Sequence, residues 1–195
     1  MCYKHGERAV SQTKNSAEDW FESAATKVIT KHYQEAVIDL TNAIRLKPDY
    51  AEAYFNRGFA RNQMKDFQGA VTDFNKAVEL KPNYAEAYNN RGTAKINQGD
   101  YRGALTNFAK AIELNKDYAA AYNNSGLVKH RLEDHKGAIA DYTRAIDLNP
   151  DDAITYFNRG RAYYDLGYKK PALDDFKKSI ELGYSVPQKA LNLCK

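Results

Sequence analysis

Cysteine, tryptophan and methionine are almost missing from this 195-residue chain, at two, one and two copies. Cys2 and Cys194 sit near opposite ends, which gives no disulfide framework and implies a reduced, cytoplasmic protein. No apolar run approaches the roughly 20 residues that a membrane-crossing helix requires, so membrane insertion is not expected. The opening stretch, MCYKHGERAVSQTKNS, lacks the apolar centre of a secretory signal. The excess of one charge over the other is small as well. The net charge is +4, with the excess in the first sixteen residues and in 153–195. No helix face carries the continuous Lys/Arg stripe that a nucleic-acid backbone demands.

The groups that support catalysis are equally thin. His5, His32, His130 and His135 form no helical i, i+4 metal pair, and neither cysteine stands near them at a ligand spacing. The glycines recur singly and build no phosphate-binding loop. His130 reads as a solvated surface histidine. No catalytic residue, metal site or cofactor is therefore expected, and the chain reads as a non-enzyme.

What the chain has in abundance is repetition. Residues 51–84, 85–118, 119–152 and 153–186 align at a spacing of 34. Tyr54, Tyr88, Tyr122 and Tyr156 share a column, as do Gly58, Gly92, Gly126 and Gly160. Ala70, Ala104, Ala138 and Ala172 form another, followed by Phe74, Phe108, Tyr142 and Phe176. A more diverged copy, 17–50, supplies Trp20, Ala24, Ala36 and Leu40 at the same places. A fixed period in this range marks stacked units that cannot bury their apolar faces alone. Within a copy, Tyr54, Gly58 and Arg61 sit at helical spacing, as do Ala70, Phe74, Ala77 and Val78. Polar turns such as QMKDF and NQGDY separate them, so each copy reads as two antiparallel helices.

Small residues at Gly58 and Ala70 would let the paired helices approach closely, with Tyr54 and Phe74 filling the space beside them. Asp49 with Glu52, Asn83 with Glu86, and Ser16 with Asp19 have the offset of a capping box. Pro48, Pro82 and Pro150 stand where one helix must end before the next begins. Residues 1–16 read as a flexible lead-in, 17–186 as the repeat domain and 187–195 as a short capping helix. That cap could leave an end face open for self-association.

The column pattern closes with Ala43, Ala77, Ala111, Ala145 and Ser179, and with the prolines. It resembles the tetratricopeptide repeat in five tandem copies, covering 170 of the 195 residues. The resemblance implies an all-α, right-handed solenoid of antiparallel helix pairs that binds other proteins. Asn56, Asn90, Asn124 and Asn158 form a further column, two residues beyond the tyrosines. Two residues are about 200° of helical rotation, so these amides point away from the core of their own repeat. In the family this column lines the concave groove, and in some members asparagine there grips the backbone of an extended peptide. An amide offers donors and an acceptor to a peptide unit. Alternatively, the column bonds between neighbouring repeats or reflects duplication of one unit.

Phe55 and Phe157 precede this column, replaced in the middle repeats by Asn89 and Asn123, and Phe59 projects from the same side. The expected site is thus amide-rich at its centre with Phe55, Phe59 and Phe157 as apolar anchors. The aromatics could equally serve packing between repeats. Arg57, Arg91 and Arg159 stand where the family usually has leucine, with Asp73, Asp141 and Asp175 available on the second helices and Asn107 in the third copy. These read as structural Arg–Asp bridges. The Lys–Asn–Arg clamp of chaperone-tail-binding members is absent in every register, because Phe21, Phe55 or Asn89 replaces its lysine. Two further functions remain open: a scaffold acting through its ends or convex face, and a regulatory subunit for an enzyme on another chain.

Overall fold

The computed structural model describes residues 16–193 of the chain, with the side chains of 189, 191 and 193 left aside. The expectations for Cys2, His5 and Cys194, and for the lead-in apart from Ser16, lie outside the described residues. Ten helices form five antiparallel pairs: α1 (Ala17–Ile29) with α2 (Tyr33–Leu46), α3 (Ala51–Gln63) with α4 (Phe67–Leu80), α5 (Ala85–Asn97) with α6 (Tyr101–Leu114), α7 (Ala119–Arg131) with α8 (His135–Leu148), and α9 (Ala153–Asp165) with α10 (Lys169–Glu181). A short α11 (Gln188–Leu193) follows. The fold is an all-α solenoid.

Each helix packs on its neighbours in chain order. The first helices of successive pairs, α1, α3, α5, α7 and α9, also touch one another, whereas the second helices do not. The stack therefore curves, with the first helices on its inner side.

The close approach expected at the glycine column is present. A Cβ on Gly58 would lie 3.0 Å from the Phe74 ring and 3.2 Å from the Ala70 carbonyl oxygen, and one on Gly92 would lie 2.6 Å from the Phe108 ring. Phe74 and Phe108 are wholly buried in consequence. Truncating such a ring to alanine costs about 3–5 kcal/mol. At the far end, Val186 and Ala190 pack on the cluster around Ala172 and Phe176.

Helix starts differ from expectation in two places. Ser16 and Asp19 do form a capping box. The boxes expected from Asp49 with Glu52, and Asn83 with Glu86, do not form. The N-caps of α3 and α5 are Tyr50 and Tyr84, without a side-chain cap bond, so Asp49 and Asn83 lie one residue too early. Glu52 instead meets Lys81 at 3.0 Å, and that hydrogen bond holds its carboxyl below the usual carboxylate range. The side-chain caps of the central repeats lie on the second helices. Asp66, Asp100 and Asp134 each accept the backbone N–H of the glycine three residues on, at 2.9 Å.

The turn before each second helix is equally periodic. Lys31, Lys65, Gly99, Glu133 and Gly167 all have φ between 62° and 81°. In the residue that follows, the N–H reaches back across the turn, as from Asp66 to the Arg61 carbonyl at 2.9 Å and from Asp100 to that of Lys95. This bond belongs to the Schellman closure of a helix end.

Candidate functional site

Arg57, Arg91 and Arg159 join the helices of their own pairs and also tie each to the pair before it. Arg57 binds Asp73 through two nitrogens, at 3.0 and 2.7 Å, and donates to the Thr41 hydroxyl of the preceding pair at 3.1 Å. Arg159 repeats this with Asp175 at 2.8 Å twice and with Thr143 at 3.1 Å. Asp73 and Asp175 are buried, so these bidentate, charge-assisted bonds keep their charge compensated. In the third repeat Arg91 donates to Asn107 and Asn75, and burial lowers its pKa. In the fourth, Ser125 takes the Arg position and Lys129 meets Asp141 at 2.7 Å. The guanidinium groups also stack over the tyrosine column, Arg91 lying 5.0 Å from the Tyr88 ring centre. These residues hold the scaffold that carries the inner face.

All four asparagines of the predicted ladder are half-buried. Asn56 and Asn90 turn their Nδ2 back to the carbonyls of Glu52 and Glu86, at 3.0 and 2.9 Å. Asn124 donates instead to Asn89 Oδ1 at 3.0 Å, and Asn158 to Asn123 Oδ1 at 3.4 Å, each across to the previous first helix. The row therefore runs where first helices face one another on the inner side. In every case an Nδ2 hydrogen is used within the protein, and no protein donor among the described residues meets the Oδ1 of the four.

The flanking residues divide in two. Asn89 is only 7% exposed and receives Asn124, so it supports the row and does not line an open surface. Burial and Glu86 raise the phenol of Tyr118, while a hydrogen bond with Asn89 acts against that rise. The aromatics are engaged in packing. Phe55 lies with its ring centre 5.9 Å from Phe74 and 4.9 Å from Tyr84. Phe157 sits 5.7 Å from Phe176 and 5.0 Å from Tyr184, and Phe59 6.5 Å from Tyr33. Burial pushes the Tyr84 phenol up to about 12, with Glu52 and Glu86 adding to the shift.

The sequence reading missed one grouping. His130, read as solvated, has a side chain only 9% exposed and lies 2.7 Å from an Asp165 carboxylate oxygen. Its ring stands edge-on to His135, with centres 5.0 Å apart. Neither the spacing of five between the histidines nor that of 35 to Asp165 is a helical ligand pair, so only the stacking register brings the three together.

The TPR repeat model matches residues 30–65, 92–133 and 130–167, and further tetratricopeptide repeat models match 51–84, 74–106 and 153–182. The chain belongs to the tetratricopeptide-repeat family, whose members are typically protein–protein interaction modules without catalysis. Among solved structures, a MamA protein is 25% identical over 88% of this chain and 98% of its own, with a TM-score of 0.76. YrrB, described as a TPR protein with an unusual peptide-binding site, shares 20% identity over 94% of both chains at a TM-score of 0.73. The pilF protein of Pseudomonas aeruginosa shares 17% identity over 91% of this chain and 80% of its own, at 0.82. These last two likenesses concern the fold alone. No curated protein sequence matches. No helix among the described residues is long and apolar enough to cross a membrane.

Proposed function

We propose that this protein is a non-enzymatic module that binds an extended peptide segment of a partner along its inner face, through Asn56, Asn90, Asn124 and Asn158. The observation that carries this reading is the row of four Oδ1 atoms without a protein donor, each on an amide whose nitrogen is already held. An extended peptide offers backbone N–H donors at regular intervals, and a row of fixed acceptors meets them without regard to side chains. Fixing the amides beforehand lowers the entropy lost on binding. Specificity then falls to the neighbouring surface. Phe55, Phe59 and Phe157 reach a ligand only through the ring edges that packing leaves open, so the amides dominate. YrrB's description as peptide-binding agrees with this use of the fold, at an identity that supports nothing finer.

The test separates binding from stability. Asn56 and Asn90 bond only to their own helices, so Asn56→Ala with Asn90→Ala should leave the circular dichroism spectrum and the melting midpoint nearly unchanged. Partners captured from a native lysate by the unmodified protein should be lost with this pair, and with the fourfold variant that adds Asn124→Ala and Asn158→Ala. Retention of the same partners by both folded variants would refute the reading.

A further inference from the structure

We infer that His130, His135 and Asp165 form a binding site for a zinc-class divalent ion at the junction of the fourth and fifth repeats. His130 lies in the last turn of α7, His135 opens α8, and Asp165 ends α9. One ligand atom from each lies within 4.8 Å of the others. Zinc bonds to nitrogen and carboxylate oxygen are about 2.0–2.2 Å, so tetrahedral donors stand about 3.4 Å apart. Adjustments of roughly 1 Å, within reach of side-chain rotation, convert one arrangement into the other.

Two observations set this trio apart from an ordinary surface ion pair. His130 is more than nine-tenths buried and turns its Nε2 to Asp165. The Nδ1 of His135 is buried and has no hydrogen-bond partner, a costly state for an imidazole nitrogen. A metal would satisfy a buried nitrogen that the fold leaves unmet.

The repeats supply an internal control. At the places of His130, His135 and Asp165, the second and third pairs carry Asn62, Phe67 and Asn97, and the next junction carries Ile96, Tyr101 and Arg131. In those junctions the same positions touch through Asn97 to Asn62 at 3.5 Å and Arg131 to the Tyr101 hydroxyl at 2.8 Å. Three donors suited to zinc thus converge at one junction where its equivalents hold amides, rings and a guanidinium. Imidazole nitrogen with one carboxylate suits zinc better than magnesium or calcium, which prefer all-oxygen shells.

The three side chains line an open cleft of about 310 Å³ together with Leu127, Arg131, Glu133 and Arg161. Three protein ligands leave a fourth position for water or for exposed Glu133, which sits on the same rim. Arg131 and Arg161 oppose a cation there, though Arg131 donates to the Tyr101 hydroxyl at 2.8 Å and the Arg161 guanidinium reaches the Phe157 ring, 6.0 Å from the centre. The bound ion would link the α7–α8 turn to α9 and so add to the Arg159–Thr143 and Asn158–Asn123 bonds that already join these two repeats.

The experiment uses tag-free, chelator-stripped full-length protein, titrated with zinc by calorimetry and with cobalt by visible absorption. The expected result is saturable one-to-one zinc binding, tetrahedral cobalt bands, and a melting midpoint that rises with zinc concentration. His135→Ala removes no protein hydrogen bond, so it should stay folded yet bind zinc more weakly by over about tenfold. His130→Ala and Asp165→Asn should do the same and abolish the cobalt bands. No saturable binding, or binding undiminished in folded His135→Ala, would overturn the site; the second result would place the metal elsewhere in the chain.

Discussion

Tyr142 stands in a column that is phenylalanine at 74, 108 and 176, and its hydroxyl is buried with no hydrogen-bond partner. Burial raises its pKa, the expected response of a phenol that no donor assists. A buried polar group left unmet costs about 1–3 kcal/mol. Tyr142→Phe keeps the ring beneath Gly126 and removes the unmet group. The substitution should raise stability by about 1 kcal/mol in urea unfolding, and a loss of stability would show that the hydroxyl has a role. Residue identity at this scale was legible in sequence: the small Gly58 does allow Phe74 to close on it, and the Arg–Asp bridges form at 57 with 73 and at 159 with 175. What sequence could not give was how the amides spend their hydrogens. Asn56 and Asn124 occupy one column, yet one turns to its own helix and the other to Asn89, because position 89 is an amide where position 21 is a ring.

The turns between paired helices show how much of an element is hidden behind ordinary-looking residues. Gly99 and Gly167 announce a left-handed backbone, but Lys31, Lys65 and Glu133 adopt it too, at φ of 62°, 66° and 65°. A side chain in that region costs about 1 kcal/mol relative to glycine. Lys65→Gly and Glu133→Gly should therefore each raise the thermal midpoint slightly, by about 0.5 kcal/mol or less in stability after the added freedom of the unfolded chain. Differential scanning calorimetry decides it, and a lowered midpoint in both would count against the strain. The helix caps were misplaced in the sequence reading for a related reason. A capping box of acid and glutamate is easily recognised, whereas Asp66 over Gly69 pairs a cap with a residue that has no side chain. A Cβ on Gly69 would lie 2.1 Å from the Asp66 carboxylate as it stands, so a side chain there would oblige that carboxylate to rotate.

Across the whole molecule, period and composition dictated the solenoid, since each pair exposes apolar surface that only the next pair covers. The uneven strength of its joints was not legible. Arg57 with Thr41, Arg91 with Asn75, and Arg159 with Thr143 fasten three of the four joints. At the joint between the third and fourth repeats the same two positions are Ser125 and Ala109, which cannot reach each other. Asn124 to Asn89 and Arg131 to the Tyr101 hydroxyl still cross this joint, but it lacks the arginine that also grips the second helix of its own pair, so in a stack held by neighbour interactions it should be the first to open. Ser125→Arg combined with Ala109→Thr restores the pattern and places the guanidinium beside Asp141. The double variant should unfold at higher denaturant and slow amide exchange around residues 119–125; unchanged exchange there would show that packing alone sets the joint.

On this prediction the joint between the third and fourth repeats acts as an elbow. Two arms, one of three repeats and one of two, would then meet where the inner face passes from Asn90 to Asn124, and flexing there would change the curvature felt by anything lying along both arms. A ligand short enough to rest on one arm would be indifferent to it. One long enough to cross would set the angle as it settles, and so carry the state of one end of the stack to the other.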